Sequence, residues 1–390
     1  MIEKIITKHI NFDKDLEKFN DQIPKKIFNK NVLVIGGAGT IGSNYIKQLL
    51  KFKPSKLVVV DINENALTEL TRDLRSSKLL NYNPKYISYP VNLLSDTFDK
   101  IYNSDSWQLV ANFSAHKHVR SEKDKISIEA LIKNNIYGAI KLLELCKISP
   151  PNYFFSVSTD KAAKPVNIMG ASKSLMEKLI LSVKNNFRVS TARFANVAFS
   201  NGSLLDGFVH RISKNQPLSC PDDIKRFFVY PEQSGQICLL ATFLGKTGDI
   251  FFPKLDFDNH QIFFKDIALD FLKVNGFNPF LVNSEKEAKD FVINPKNKQY
   301  PIYFFKSDTS GEKKYEEFYS QDEDYKLNEF DSLGFINSCN YDISFSEVKN
   351  DFDRVFNNKN STKQDIIAVV KKYVPDFEHI ETGMHLDQKM

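Results

Sequence analysis

The chain has 390 residues, 42% of them apolar and 26% charged, an ordinary globular balance that excludes a disordered chain and allows about two domains. Lys and Arg total 53 against 48 Asp and Glu, a net charge of +5 with a pI near 8.7. That excess is too mild for a nucleic-acid partner and is compatible with a small anionic ligand. Residues 1–26 have no signal-peptide h-region. They read as an arm that is either solvated or packed as a helix on the next domain. No stretch approaches the ~20 apolar residues that cross a bilayer, so the chain is expected in the cytoplasm. Cys146, Cys220, Cys238 and Cys339 lie far apart without CxxC or His spacing, which predicts free thiols and no metal site.

Along the chain, residues 32–36 (VLVIG), 57–61 (LVVVD), 86–89, Leu109–Asn112 and Tyr153–Val157 read as short strands. Helix-compatible segments separate them, beginning with 41–52. Nearly all-apolar strands alternating with helices predict an α/β protein with a Rossmann-type doubly wound parallel sheet covered on both faces. From about residue 196 the pattern loosens and Pro217, Pro221, Pro231 and Pro253 punctuate it. The expected organisation is an arm (1–30), a dinucleotide-binding part (31–195), a smaller mixed substrate-binding part with returns to the sheet (196–330), and a C-terminal extension (331–390). The last contains a predicted helix over Lys363–Tyr373.

Gly36, Gly39 and Gly42 form GxxGxxG between the first strand and the first helix, with Thr40 and Ile41 opening that helix. Glycines let backbone approach a pyrophosphate, and a helix N-terminus offers free N–H groups and a positive dipole end. Asp61 follows Gly42 by 19 residues at the tip of the second strand. A carboxylate there accepts from a ribose hydroxyl and repels a 2′-phosphate, which favours NAD over NADP.

After the fifth strand comes Ser158-Thr159-Asp160-Lys161, and Lys173 follows 12 residues later. The run STDKAAKPVNIMGASK resembles the signature of bacterial UDP-N-acetylhexosamine 4,6-dehydratases, a polysaccharide-biosynthesis branch of the extended short-chain dehydrogenase/reductase superfamily. Supporting matches are GGAGTIGS at 36–43, DINEN at 61–65, AHKHV at 115–119, KNN at 133–135, RFANV at 193–197, KRFFVYPE at 225–232 and SGEKKYEE at 310–317. The likeness covers roughly residues 30–320.

The resemblance implies oxidation of a sugar at C4 by NAD, elimination of water across C5 and C6, and return of the hydride to C6. It implies Asp160 as the acid for the C6 oxygen and Lys161 as the C5 base. A lysine base needs its pKa pulled down, here by desolvation or by the nearby Lys173. Lys173 matches the superfamily lysine that binds the nicotinamide ribose. The superfamily tyrosine position is Met169, which transfers no proton, so Thr159 would hold the C4 hydroxyl while Asp160 accepts its proton. Asn92, Ser114 and Ala115 fall at cofactor-lining positions, Asn92 where the family has an acid. Lys117, Arg193, Asn196, Arg226 and Glu312 fall at substrate-lining positions, with Asn196 and Arg226 as the diphosphate contacts. The implied substrate is UDP-N-acetylglucosamine and the implied product a 4-keto-6-deoxy sugar nucleotide for surface glycan synthesis. A nucleotide-sugar epimerase and a non-catalytic NAD-binding scaffold stay open as alternatives. A homo-oligomer is expected, its seam formed by helices over 126–146 and 170–185 through Ile132, Ile136, Ile140, Leu143, Leu175, Leu179 and Val183.

Overall fold

Strands such as VLVI and LVVV carry no polar side chains to give to water, so both of their faces must be covered. The computed structural model describes residues 2–6, 10–293, 298–307, 310–313, 315–337 and 341–381, which leaves Cys339 outside the described residues. Its strands are β1 (Asn31–Ile35), β2 (Lys56–Asp61), β3 (Lys85–Pro90), β4 (Leu109–Asn112), β5 (Tyr153–Val157), β6 (Val189–Ala192), β7 (Asn196–Val197), β8 (Leu218–Pro221), β9 (Lys225–Val229), β10 (Asp249–Pro253), β11 (Gln261–Phe263), β12 (Asn278–Val282), β13 (Gln299–Phe305), β14 (Tyr325–Lys326) and β15 (Leu333–Asn337).

Among the described residues, nine strands form one sheet in the order β3-β2-β1-β4-β5-β6-β10-β15-β14. The run from β3 to β10 is parallel, with Val32 opposite both Leu57 and Leu109. This is the expected α/β doubly wound arrangement, in which ligands bind beyond the carboxyl ends of the strands where the order reverses, between β1 and β4. The sheet closes with β15 antiparallel to β10 and β14 antiparallel to β15. The segment from residue 331 therefore supplies sheet as well as helix.

A second core lies between the three-stranded groups β11-β9-β7 and β12-β13-β8 and the helices Leu204–Ser213 and Phe264–Val274. Phe208, Phe228, Phe271 and Tyr300 fill it. The N-terminal arm is packed rather than solvated. Ile5 and Ile6 enter the second core, Phe12, Ile23 and Ile27 enter the first, and buried Asp15 accepts the backbone N–H groups of Asp331 and Ser332 and the Ser332 hydroxyl.

The predicted helix over 126–146 is interrupted. A π-helical turn, Lys133–Tyr137, separates Lys125–Ile132 from Gly138–Ile148. In that turn the Asn135 side chain accepts the His116 N–H at 2.8 Å and donates to the His116 carbonyl at 3.1 Å and to Ser172 Oγ at 2.9 Å. Those bonds reward a widened turn, a distortion that recurs at functional sites.

The expected oligomer seam needs correction. Ile132, Ile136, Ile140, Leu143, Leu175, Leu179 and Val183 are all buried within the chain itself. Helices Phe345–Asn357 and Lys363–Tyr373 are seated on these elements. Tyr137 donates its hydroxyl to Asp353 at 2.7 Å, Lys178 donates to the Tyr373 carbonyl at 2.9 Å, and Ile366, Ile367 and Val370 join the same core. The C-terminal segment covers the apolar face that the sequence pattern assigned to a second subunit.

Candidate active site

The glycine turn is built by close approach. Gly36 has φ +69°, and a Cβ there would sit 2.5 Å from the Ser114 backbone nitrogen, so the β1 and β4 ends meet only through glycine. Gly39 precedes the helix Thr40–Leu50 with extended backbone and no side-chain cap, which leaves first-turn N–H groups for an anion. Ile41 and Gly42 continue that first turn. Asp61 accepts the Ala38 N–H through Oδ2 and the Asn63 N–H through Oδ1, both at 3.0 Å. Each of its oxygens keeps a second lone pair for a ribose hydroxyl. The residues present fit a dinucleotide.

The other expected cofactor residues lie at neighbouring strand ends. Asn92 is exposed just past β3, and its Oδ1 accepts the Leu94 N–H at 2.8 Å. The Ser114 N–H donates to Asn112 Oδ1 at 3.1 Å, and Ala115 precedes the Asn135 clamp at His116. Lys117 donates to the Asn201 carbonyl at 2.8 Å, while the Asn201 N–H donates to Thr40 Oγ1 at 3.0 Å. The 199–203 loop thus ties Lys117 to the glycine turn. Burial lowers the Lys117 pKa, against the pull of Asp206.

Past the end of β5 the chain makes one 3₁₀ turn, Asp160–Ala162. Asp160 Oδ1 accepts the Thr159 hydroxyl at 2.9 Å, the Lys161 N–H at 2.9 Å and Lys161 Nζ at 3.1 Å. The turn is pressed onto the helix Ile168–Ser182 at Gly170, where a Cβ would meet the Lys161 carbonyl at 2.6 Å. Asn167 caps that helix by accepting the Gly170 N–H at 2.7 Å and donates to the Gly311 carbonyl at 2.7 Å. Buried Glu122 accepts the Ile168 N–H at 2.9 Å. The strap near residue 380 crosses the same place: Glu378 and Ile380 donate to the Pro165 and Val166 carbonyls, and Gly311 donates to the Ile380 carbonyl.

The two lysines differ from expectation. Burial alone would lower the Lys161 ammonium, but the Asp160 and Glu316 carboxylates outweigh it, with Arg226 opposing them, and hold it above its usual value. The expectation of a depressed Lys161 is therefore corrected: its nearest charges are anions, not Lys173. It is Lys173 that burial lowers, to about 8, against the pull of Glu177, while its Nζ donates to the Val157 carbonyl at 2.8 Å. Met169 is buried in the first core, as a packing residue would be.

Of the substrate-lining candidates, Arg226 lines a small recess together with Val119, Lys161, Ser310, Gly311, Glu312 and Glu316. Its guanidinium donates to the Lys225 and Lys313 carbonyls and to Glu312 Oε1 at 3.2 Å. Asn196, half-buried, donates to the Phe227 carbonyl at 3.4 Å. Arg193 does not belong to this group. It is 3% exposed and donates to both oxygens of Glu177, both of Glu323 and the Phe318 carbonyl. With these partners engaged the guanidinium is a buried structural anchor rather than a phosphate fork.

Sequence reasoning missed Glu316, Asn135 and Glu122. Glu316 lay within the SGEKKYEE match and Asn135 within KNN, so the signal was present. Only the fold brings Glu316 to 3.5 Å from Lys161 Nζ.

A profile of the family described as "Polysaccharide biosynthesis protein" matches residues 32–337. The chain is 30% identical to the "Uncharacterized membrane protein MJ1061" of Methanocaldococcus jannaschii over 86% of its own length and 95% of that protein's. It is 30% identical to the "UDP-N-acetylglucosamine 4,6-dehydratase (inverting)" of Campylobacter jejuni strain 81-176, over 59% and 68% of the two chains. It spans about half the length, 49% and 48%, of two longer relatives. The fold matches that of Pen from Bacillus thuringiensis with a TM-score of 0.65 at 22% identity, over 87% of this chain and 99% of that one. No helix among the described residues is long and apolar enough to cross a membrane.

Proposed function

Because the chain belongs to the polysaccharide biosynthesis protein family, we propose that it is an NAD-dependent nucleotide-sugar 4,6-dehydratase acting on UDP-N-acetylglucosamine. The observation that carries this reading is the contacting pair Asp160–Lys161, placed past the end of β5 with Thr159 bonded to the same carboxylate oxygen. A simple oxidoreductase needs no such acid–base pair, whereas an elimination across C5 and C6 does.

The glycine turn, Asp61 and Lys173 would hold the dinucleotide. When bound, NAD would supply the hydride chemistry, oxidation at C4 and reduction at C6. Thr159 holds the C4 hydroxyl, and Asp160 takes its proton through the Thr159 bond. Lys161 removes the C5 proton, which the C4 ketone has made acidic. Asp160 then gives its proton to the C6 oxygen, which departs as water, and Lys161 returns a proton to C5. Arg226 and Asn196 are the residues we assign to the diphosphate, Arg226 by exchanging its Glu312 contact for phosphate oxygen. Met169 supplies packing and no proton.

The test is incubation with UDP-N-acetylglucosamine read by mass spectrometry and proton NMR. A product lighter by one water supports the dehydratase. A product of unchanged mass with inverted C4 identifies an epimerase, and no turnover across a panel of nucleotide sugars identifies a binding scaffold.

A further inference from the structure

The Lys161 base raises a problem that the geometry also answers. A lysine that removes the C5 proton must first be a neutral amine, yet Lys161 sits between two carboxylates that favour its ammonium. One of them has to take its proton. Asp160 is committed elsewhere: in the reading above it takes the C4 proton and gives it to the C6 oxygen, and its Oδ1 already receives Thr159 Oγ1, Lys161 N–H and Lys161 Nζ. Glu316 is the opposite case. It is 4% exposed, and its nearest cations, Lys161 Nζ at 3.5 Å and Arg226 Nη2 at 3.8 Å, stand at ion-pair rather than hydrogen-bond distance. Its Oε2, like Asp160 Oδ2, is buried without a hydrogen-bond partner among the described residues, but Asp160 Oδ1 receives three donors whereas no hydrogen bond among those residues reaches Glu316 Oε1. A buried carboxylate without donors is more stable as the neutral acid.

We propose that Glu316 is the proton-holding partner of Lys161, taking the ammonium proton so that Lys161 meets the C5 hydrogen as an amine. This deepens, and rests on, the dehydratase reading above. In the step, a Lys161 Nζ–H bond breaks and a Glu316 Oε–H bond forms, and an ion pair becomes an amine and an acid with no change in the charge of the cluster. No proton need enter from or leave to water, so the active form is populated independently of pH. Asp160 remains available for the C4 and C6 oxygens. Glu316 acts through Lys161 and not on the sugar.

The surrounding charges are consistent with this assignment. Asp160 and Lys161 face Glu316 from the 3₁₀ turn, Arg226 from β9, and Glu312 and Lys313 from its own segment. Lys164 and Glu317 are paired with each other at 3.6 Å nearby. Burial raises the Glu316 carboxyl and the Asp160 charge adds to it, against Lys161, Arg226 and Lys313.

The experiment compares wild type, Glu316→Gln and Glu316→Asp. With UDP-N-acetylglucosamine, kcat of the wild type should be flat between pH 6 and 8. In Glu316→Gln the lysine proton must go to solvent, so kcat should climb about tenfold per pH unit, with KM and bound NAD unchanged. Glu316→Asp should restore the flat profile, which a packing role would not do. A Glu316→Gln profile parallel to wild type, whatever its height, overturns the proposal. A second readout does not need turnover. Amine-reactive labelling of Lys161, followed by peptide mass spectrometry against pH, should show a midpoint at least one pH unit lower in Glu316→Gln than in wild type. An unmoved midpoint overturns the pairing. If wild type fails to dehydrate any sugar nucleotide but the midpoint moves, the dehydratase reading falls and the pairing stands.

Discussion

Replacing Arg193 with Met keeps the length of the side chain and removes its charge. The guanidinium is 4% exposed and Glu177 3%, so the substitution leaves a carboxylate in the interior with both of its donors gone, while Glu323, at 24%, is rehydrated more easily. Removing one partner of a buried ion pair costs about 3–5 kcal/mol. Unfolding entropy of about 2.1 cal/mol/K per residue amounts to about 0.8 kcal/mol/K over 390 residues, so Tm should fall by about 4–6 °C. The Phe318 carbonyl also loses its donor, which loosens the segment that follows Glu316. Pairing Arg193→Met with Glu177→Gln should recover part of the loss, because the stranded charge is then gone. Differential scanning calorimetry with retained NAD measures the melting, and steady-state kinetics should find KM for the sugar nucleotide within about threefold of wild type, since no phosphate contact is lost. A variant that melts with wild type but raises that KM tenfold or more would refute the reasoning and return Arg193 to the substrate pocket.

Other predictions follow from single contacts. Gly36→Ala should cost at least about 1–2 kcal/mol for a side chain at positive φ, and more because the Cβ meets Ser114 backbone at 2.5 Å; the purified variant should carry little NAD, and full occupancy would contradict the assignment of the turn. Lys161→Ala should lower dehydration about 10²–10⁴-fold while NAD stays bound, and should abolish solvent deuterium uptake at C5, whereas undiminished exchange would move the base elsewhere. Burial raises Asp249 from 3.8 to about 6. Because the folded carboxyl holds its proton to higher pH than the unfolded one, its penalty is absent below about pH 4, grows through that window and is complete above about 6. Asp249→Asn, which can still accept the Lys246 N–H, should therefore raise Tm at pH 8 and much less at pH 4; an equal shift at both pH values would contradict this.

Much of the fold was legible because parallel strands buried on both faces must be apolar throughout. Residues 32–36 and 57–61 could be little else, and β4 and β5 have the expected limits. The glycine spacing and Asp61 were legible for a related reason: only glycine tolerates the approach of Gly36 to Ser114, and the acid ends a strand whose neighbours are all apolar. What the tertiary structure decided lies in pairings distant in sequence. Ile132, Leu175 and their neighbours show an apolar face but not what covers it, and helices from 345 onward cover it here. Arg193 and Arg226 are the same residue type in similar matched motifs, yet Glu177 and Glu323 close around one, while the other lines a recess. The Lys161 environment depends on Glu316, which lies 155 positions along the chain and comes within 3.5 Å of it only in the folded chain. Periodicity reports burial, a property each residue has alone. Charge balance in a site is a property of pairs, and the fold sets which pairs exist.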